Sequence, residues 1–196
     1  MFHAHASAFA RFQPVTATPR TDPAGPQAFA ACTLIDTDKG WRPAAELAPG
    51  DRVQTFDGGL VPLAAVDHRP ARATRFWQVP AGAIGNCSDM VLPAGQLVGF
   101  RGRVAHRLFG VPLVLAPAHA LSGFRGIAPL AADRPTPGLV TLGFDCEEIA
   151  MAQTGTLLLV PGRAGDGHYH RLGYGETRPL LSLIDPLGCA PDLDAA

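Results

Sequence analysis

The chain has no Cys-x-x-Cys pair. Its four cysteines, Cys32, Cys87, Cys146 and Cys189, stand far apart. That argues against a zinc ribbon or a redox motif and leaves the redox compartment open. Long apolar runs are missing too. Nothing approaches the roughly 20 residues that cross a bilayer, so no membrane partner is expected. The first 26 residues contain no apolar core of the kind a secretory signal peptide needs; the default expectation is a cytoplasmic protein. Charge is scarce, at 17% of residues, and nearly balanced at a formal net −1. With no global field to gather phosphates, no nucleic-acid partner is expected. Sustained 3.6-residue periodicity is absent, which argues against a helical bundle.

What remains is a chain of short apolar runs punctuated by 22 glycines and 19 prolines. That pattern predicts an all-β domain rich in turns. At 196 residues, one domain with tails is the default. Residues 1–27 read as a flexible N-terminal tail and residues 184–196 as a short C-terminal one, with a single domain over 28–183 between them. His3 and His5 in the first tail read as solvated.

The most structured stretch runs from residue 28 to residue 66. Thr33, Leu34 and Ile35 favour a strand, and Asp38-Lys39-Gly40 is a turn that can take positive φ at its glycine. Pro49 fixes φ and Gly50 tolerates the left-handed region, so Pro49-Gly50-Asp51 forces a corner. Arg52 to Phe56 alternate polar with apolar, as a half-buried strand does. Asp57-Gly58-Gly59 then closes a hairpin into Leu60-Val61-Pro62-Leu63.

In order and spacing, Phe29, Thr33, Leu34, Ile35, Thr37, Gly40, Pro43, Leu47, Pro49, Gly50, Asp51, Val53, Thr55, Asp57, Gly58 and Gly59 resemble the opening of bacterial Hint (Hedgehog/intein) domains. Further matches lie at Ala81–Asn86, around Leu108-Phe109-Gly110 and at Pro161-Gly162. The resemblance spans about residues 28 to 183 and implies a flattened β-horseshoe of two pseudo-symmetric halves. It also implies a chemistry. Such domains open Cys-Phe-x-x-Gly-Thr, and the cysteine converts the preceding peptide bond into a thioester. Here the nucleophile position holds Ala28, and Cys32 stands where the family has glycine. The family's Ser-Pro-x-His segment aligns on Leu92, Pro93 and Gly95, and glycine offers no proton donor. In the later Phe-Asp-x-His-Glu segment, Phe144, Asp145 and Glu148 match, but the histidine is Glu147.

Three altered positions in three segments make the expectation a diverged, non-catalytic Hint domain. It would act as a binding or structural module for an unidentified protein or ligand, with no cofactor and no metal. The alternative is autoproteolysis from a displaced nucleophile. Cys32 would perform the N-to-S acyl shift and release the N-terminal segment, with His119 (or His106) as proton donor and Asp145 as the surviving acid. Cys32 lies about 13 Å along an extended chain from the usual position, so it would need its own geometry. Cys146, flanked by Glu147 and Glu148, makes a poor thiolate. His168 and His170, two apart, form a candidate metal pair lacking a third ligand. Arg69, Arg72 and Arg75 form a basic bend that reads as a solvated turn. Ile127 marks a short strand in the Gly/Pro-rich connection 122–137, residues 140 to 151 resemble the family's final β-hairpin strand, and Glu176 to Leu183 read as a closing strand.

Overall fold

The computed structural model describes residues 27–71, 74–163 and 167–186. The expectations for residues 1–26 and 187–196, Cys189 among them, lie outside the described residues. The strands, in chain order, begin with β1 (Phe29–Ala30), β2 (Leu34–Thr37), β3 (Gly40–Pro43), β4 (Arg52–Thr55), β5 (Gly59–Pro62) and β6 (Ala65–Arg69). There follow β7 (Phe76–Val79), β8 (Met90–Pro93), β9 (Leu97–Arg101), β10 (Leu113–Pro117) and β11 (Ala128–Pro129). The last are β12 (Leu139–Gly143), β13 (Glu148–Ala152), β14 (Thr156–Val160) and β15 (His170–Arg171). Among the described residues there are two α-helices, α1 (Arg103–Phe109) and α2 (Tyr174–Ile184), and two short 3-10 turns at Ala44–Glu46 and Ala118–Leu121.

The strands form three sheets. A nine-stranded sheet runs β15-β10-β9-β14-β13-β2-β4-β5, with β3 paired to β2. Two smaller sheets, β1-β12-β6 and β11-β7-β8, have three strands each. The all-β expectation holds, and the turns fall where their residues require them. Gly40 and Gly50 have φ of 85° and 90°, conformations that cost a side-chain-bearing residue about 1 kcal/mol or more. The corner before β4 is tied by Asp51. Its carboxylate accepts the Ala48 N–H at 2.9 Å, Lys39 Nζ at 3.1 Å and Arg42 Nη1 at 2.9 Å. These bonds, the Ala48 one foremost, hold the Asp51 carboxyl below the usual carboxylate range. In β4 the alternation read from sequence is met, since Val53 and Thr55 are buried while Arg52 is exposed.

The main core lies where the sheets meet, around Phe29, Ile35, Val53, Leu92, Phe124, Leu142, Phe144 and Leu158. β12 and β13 do not form one strand segment as the sequence suggested. The chain leaves the small sheet at Phe144 and enters the large one at Glu148. Gly162 permits this crossing, because a Cβ there would lie 2.4 Å from the Cys146 carbonyl carbon and the Glu147 nitrogen.

The segment read as a closing strand, Glu176 to Leu183, is instead the body of α2. Thr177, Leu180 and Leu181 are buried, a spacing of three and four that describes a helical face. The Glu176 carboxylate accepts the Gly173 N–H at 2.9 Å, and Thr177 Oγ1 donates to the Gly173 carbonyl at 2.8 Å. Those two bonds start the helix strongly enough to carry Pro179 in its interior. α1 is short and bracketed by Gly102 and Gly110, with φ of 119° and 74°. Its seven residues are too few to show a periodic signal in the sequence. The strand expected near Ile127 is β11, one residue further on.

Candidate functional site

β1 carries the chain into the position where the resemblance puts a nucleophile. Phe29 pairs with Val140 and Ala30 with Leu139 across the small sheet. One step further in this register places Ala28 opposite Thr141. The Ala28 methyl is buried and belongs to an apolar cluster with Phe76 and Leu139. Methyl and phenyl groups fill this spot, and neither can attack a carbonyl.

The residue before it is gripped. Gln27 Nε2 donates to the Gly95 carbonyl at 2.6 Å, and the Leu97 N–H donates to Gln27 Oε1 at 2.9 Å. The two bonds bracket the turn 94–96 between β8 and β9. Gly95, the position the resemblance gives to a histidine, therefore does face the start of β1. It contributes a backbone oxygen and no side chain. Gln96 beside it is fully buried, and its Nε2 donates to the Leu97 and Leu159 carbonyls.

His119 stands at the same turn. Its backbone N–H and its Nδ1 both approach the Ala94 carbonyl, at 3.2 and 3.1 Å. A carbonyl only accepts, so Nδ1 carries the proton and Nε2 is left as an acceptor in the neutral ring. The indole of Trp77 meets the imidazole edge-on, with centroids 6.4 Å apart. Thus His119 is brought beside Gly95. His106 is not: it lies exposed on α1.

Cys32 is exposed and lines a different cleft, of about 430 Å³. Around it stand Gln78, Ser88, Asp89, Arg134 and Gln153. No histidine lines this cleft among the described residues. Asp145 is elsewhere again. Its side chain is 83% exposed and lies 3.8 Å from Arg163. β12 pairs with β1 through Leu139 and Val140, so Cys32 leaves past one end of β12 and Asp145 past the other. The structure therefore does not gather Cys32, His119 and Asp145 into one constellation.

Glu147, the third altered position, is an anchor. Its side chain is 3% exposed. Its Oε1 accepts the N–H groups of His168 and Tyr169 at 3.1 and 3.4 Å, and its Oε2 pairs with the Arg171 guanidinium. The carboxylate thus fastens residues 168–171 to the β12–β13 crossing. Close by, Tyr169 Oη donates to the Asp57 carboxylate at 3.0 Å. Burial and the Asp57 charge raise the Tyr169 pKa, and burial raises that of Glu148. Glu148 Oε2 is buried without a hydrogen-bond partner.

His168 and His170 are both exposed, and the His170 ring packs on Phe109 with centroids 5.4 Å apart. Among the described residues no group of three or more His, Cys, Asp or Glu side chains is arranged to hold a metal ion. Three residues of the β1 neighbourhood escaped sequence reading. Gln27 had a signal, since it directly precedes the aligned nucleophile position. Thr141 and Trp77 had none. They matter because Thr141 Oγ1 and Trp77 Nε1 are buried without partners, and only the sheet registers reveal where they lie.

The family model described as Hint domain matches residues 27–155. The protein belongs to the Hint domain family. No curated protein sequence matches it. Solved structures with a similar fold include remote inteins. The MchDnaB-1 intein is 15% identical, with a TM-score of 0.43, covering 68% of this chain and 99% of that one. The Msm DnaB1 intein splicing domain, solved with zinc bound, is 18% identical with a TM-score of 0.45 over 68% and 99%. A splice-inactive variant of the AceL NrdHF class 3 split intein is 12% identical with a TM-score of 0.46 over 70% and 99%.

Proposed function

We propose that this protein is a Hint domain that has lost self-cleavage and serves as a stable binding or structural module. One observation carries the reading. At the bond between Gln27 and Ala28, the family's nucleophile position is a buried methyl packed among Phe76 and Leu139. Acyl transfer needs a nucleophile within reach of the carbonyl and an acid within reach of the leaving nitrogen. The Gln27 carboxamide meanwhile holds the bond in place through Gly95 and Leu97, and such a grip stabilises a closed site. The Glu147 anchor points the same way, since a position that a catalytic residue would fill secures a surface segment.

A second reading rests on Cys32. Its thiol is exposed in a cleft that also holds Arg134 and Asp89, so an acyl shift at the Ala31–Cys32 bond is sterically open. Peptide mapping of protein held at 37 °C separates the two. The non-catalytic reading expects the peptide spanning Ala31 and Cys32 to be recovered intact in wild type and in Cys32→Ala alike. Its time-dependent loss in wild type alone would establish the second reading.

A further inference from the structure

A groove of about 340 Å³ lies on a part of the molecule the Hint chemistry does not use. It runs between the end of β9, the first turn of α1 and the last turn of α2. Its walls are apolar and incompletely covered: Ile84, Phe100, Val104 and Ile184 are all half-buried. Leu157 closes the floor.

The rim is basic. Arg101, Arg103 and Arg125 all line the groove. Arg125 is committed, with Nε 2.7 Å from the Asp185 carboxylate and Nη1 donating to the Ala83 carbonyl at 3.3 Å. It braces the wall between the 83–84 turn and the end of α2. Arg101 and Arg103 make no ion pair among the described residues. The Arg101 guanidinium lies over the Phe56 ring, 5.9 Å from its centroid, and a guanidinium over a ring face can still donate from its edge.

Three arginines line the apolar trough and one of them is paired with a carboxylate, so positive charge is in excess among its lining residues. We propose that this groove binds a small amphiphile with a straight apolar chain and a single anionic head. The chain lies along Phe100, Val104 and Ile184, and the head accepts hydrogen bonds from Arg101 and Arg103. The volume falls at the lower end of the roughly 300–1,000 Å³ typical of small-molecule sites, which suits a medium-length chain. A bidentate guanidinium contact recognises a carboxylate or a phosphate ester equally well. Occupancy of the groove is independent of whether the Ala28 position is silent.

Isothermal titration with decanoate tests the proposal, with decyl phosphate to compare heads and decyltrimethylammonium as the opposite charge. Saturable binding of one decanoate per chain is expected, weakened at least tenfold in Arg101→Gln/Arg103→Gln. Both arginines are exposed, so the fold should tolerate the change, and a circular dichroism melt checks that it does. Arg69→Gln, at the end of β6 and outside the groove lining, should bind as wild type does. Tighter binding of decyl phosphate than of decanoate would assign the head as a phosphate ester; the reverse order would assign a carboxylate. Three results overturn the proposal: no saturable binding of either anion below its micelle concentration, undiminished binding by the double variant, or equal binding of decyltrimethylammonium.

Discussion

Replacing Glu147 by Gln should cost about 2 kcal/mol, and the structure shows where each part arises. The carboxylate is 3% exposed, and its two oxygens serve two backbone N–H groups and one guanidinium. A glutamine of the same shape still offers a carbonyl to His168 and Tyr169. Those bonds lose their charge assistance, worth about 1 kcal/mol. The ion pair with Arg171 is lost as well. Arg171 is 49% exposed, so solvent screening limits that part to about 1 kcal/mol. With a urea m-value of about 2 kcal/mol/M, the unfolding midpoint should fall by about 1 M. Arg171→Gln alone should cost about 1 kcal/mol, and the double variant little more than Glu147→Gln. The coupling in such a cycle is the ion pair. Glu147→His, which restores the residue type of the family resemblance, should be at least as damaging, because it sets an imidazole against Arg171. A midpoint shift below about 0.2 M for Glu147→Gln would refute the claim that this side chain anchors residues 168–171.

Other perturbations probe separate parts of the fold. Gly162→Ala forces a methyl to within 2.4 Å of backbone at Cys146 and Glu147, so it should destabilise by about 3 kcal/mol or more, read as a lower melting temperature. Asp51→Asn should cost about 1–2 kcal/mol at pH 7, measured by urea unfolding. Since the folded-state pKa of Asp51 is lowered, its contribution is present above the unfolded carboxylate value and lost as pH falls through the folded one. The difference between wild type and Asp51→Asn should therefore vanish in acid. Glu148 has the opposite sign: its folded-state pKa is raised, chiefly by burial. Its penalty is present at neutral pH and disappears as pH falls below the unfolded value. Glu148→Gln should therefore match or exceed wild-type stability at pH 7, with the advantage shrinking on acidification.

Local chemistry made much of the first hairpins legible in the sequence. Gly40, Pro49-Gly50 and Asp57-Gly58-Gly59 leave the backbone few choices, and the strands between them alternate as half-buried strands do. α2 was misread because Leu180 and Leu181 are adjacent and follow Arg178-Pro179, which looks extended in isolation. Only the Gly173–Glu176 and Gly173–Thr177 bonds show the helix start. The β12–β13 crossing was hidden for a related reason. Leaving one sheet for another depends on Gly162, far along the chain, and not on residues at the break. At the candidate site, sequence pointed to Ala28, Gly95 and Glu147 as individual positions. It did not show that Gln27 bridges Gly95 and Leu97, nor that Glu147 faces Arg171, because both contacts span more than 20 residues. Distances of that kind also decide that Cys32 and Asp145 sit past opposite ends of β12.

The proposal that this Hint domain does not cut its own chain is tested by the intact mass of the purified protein. The mass should be followed with and without dithiothreitol or hydroxylamine, which cleave a thioester wherever one forms. A single unchanged mass is expected under every condition, identical in behaviour for Cys32→Ala. A fragment beginning at Cys32, produced by the nucleophile and abolished by Cys32→Ala, would contradict it and place a working nucleophile in the cleft beside Asp89 and Arg134.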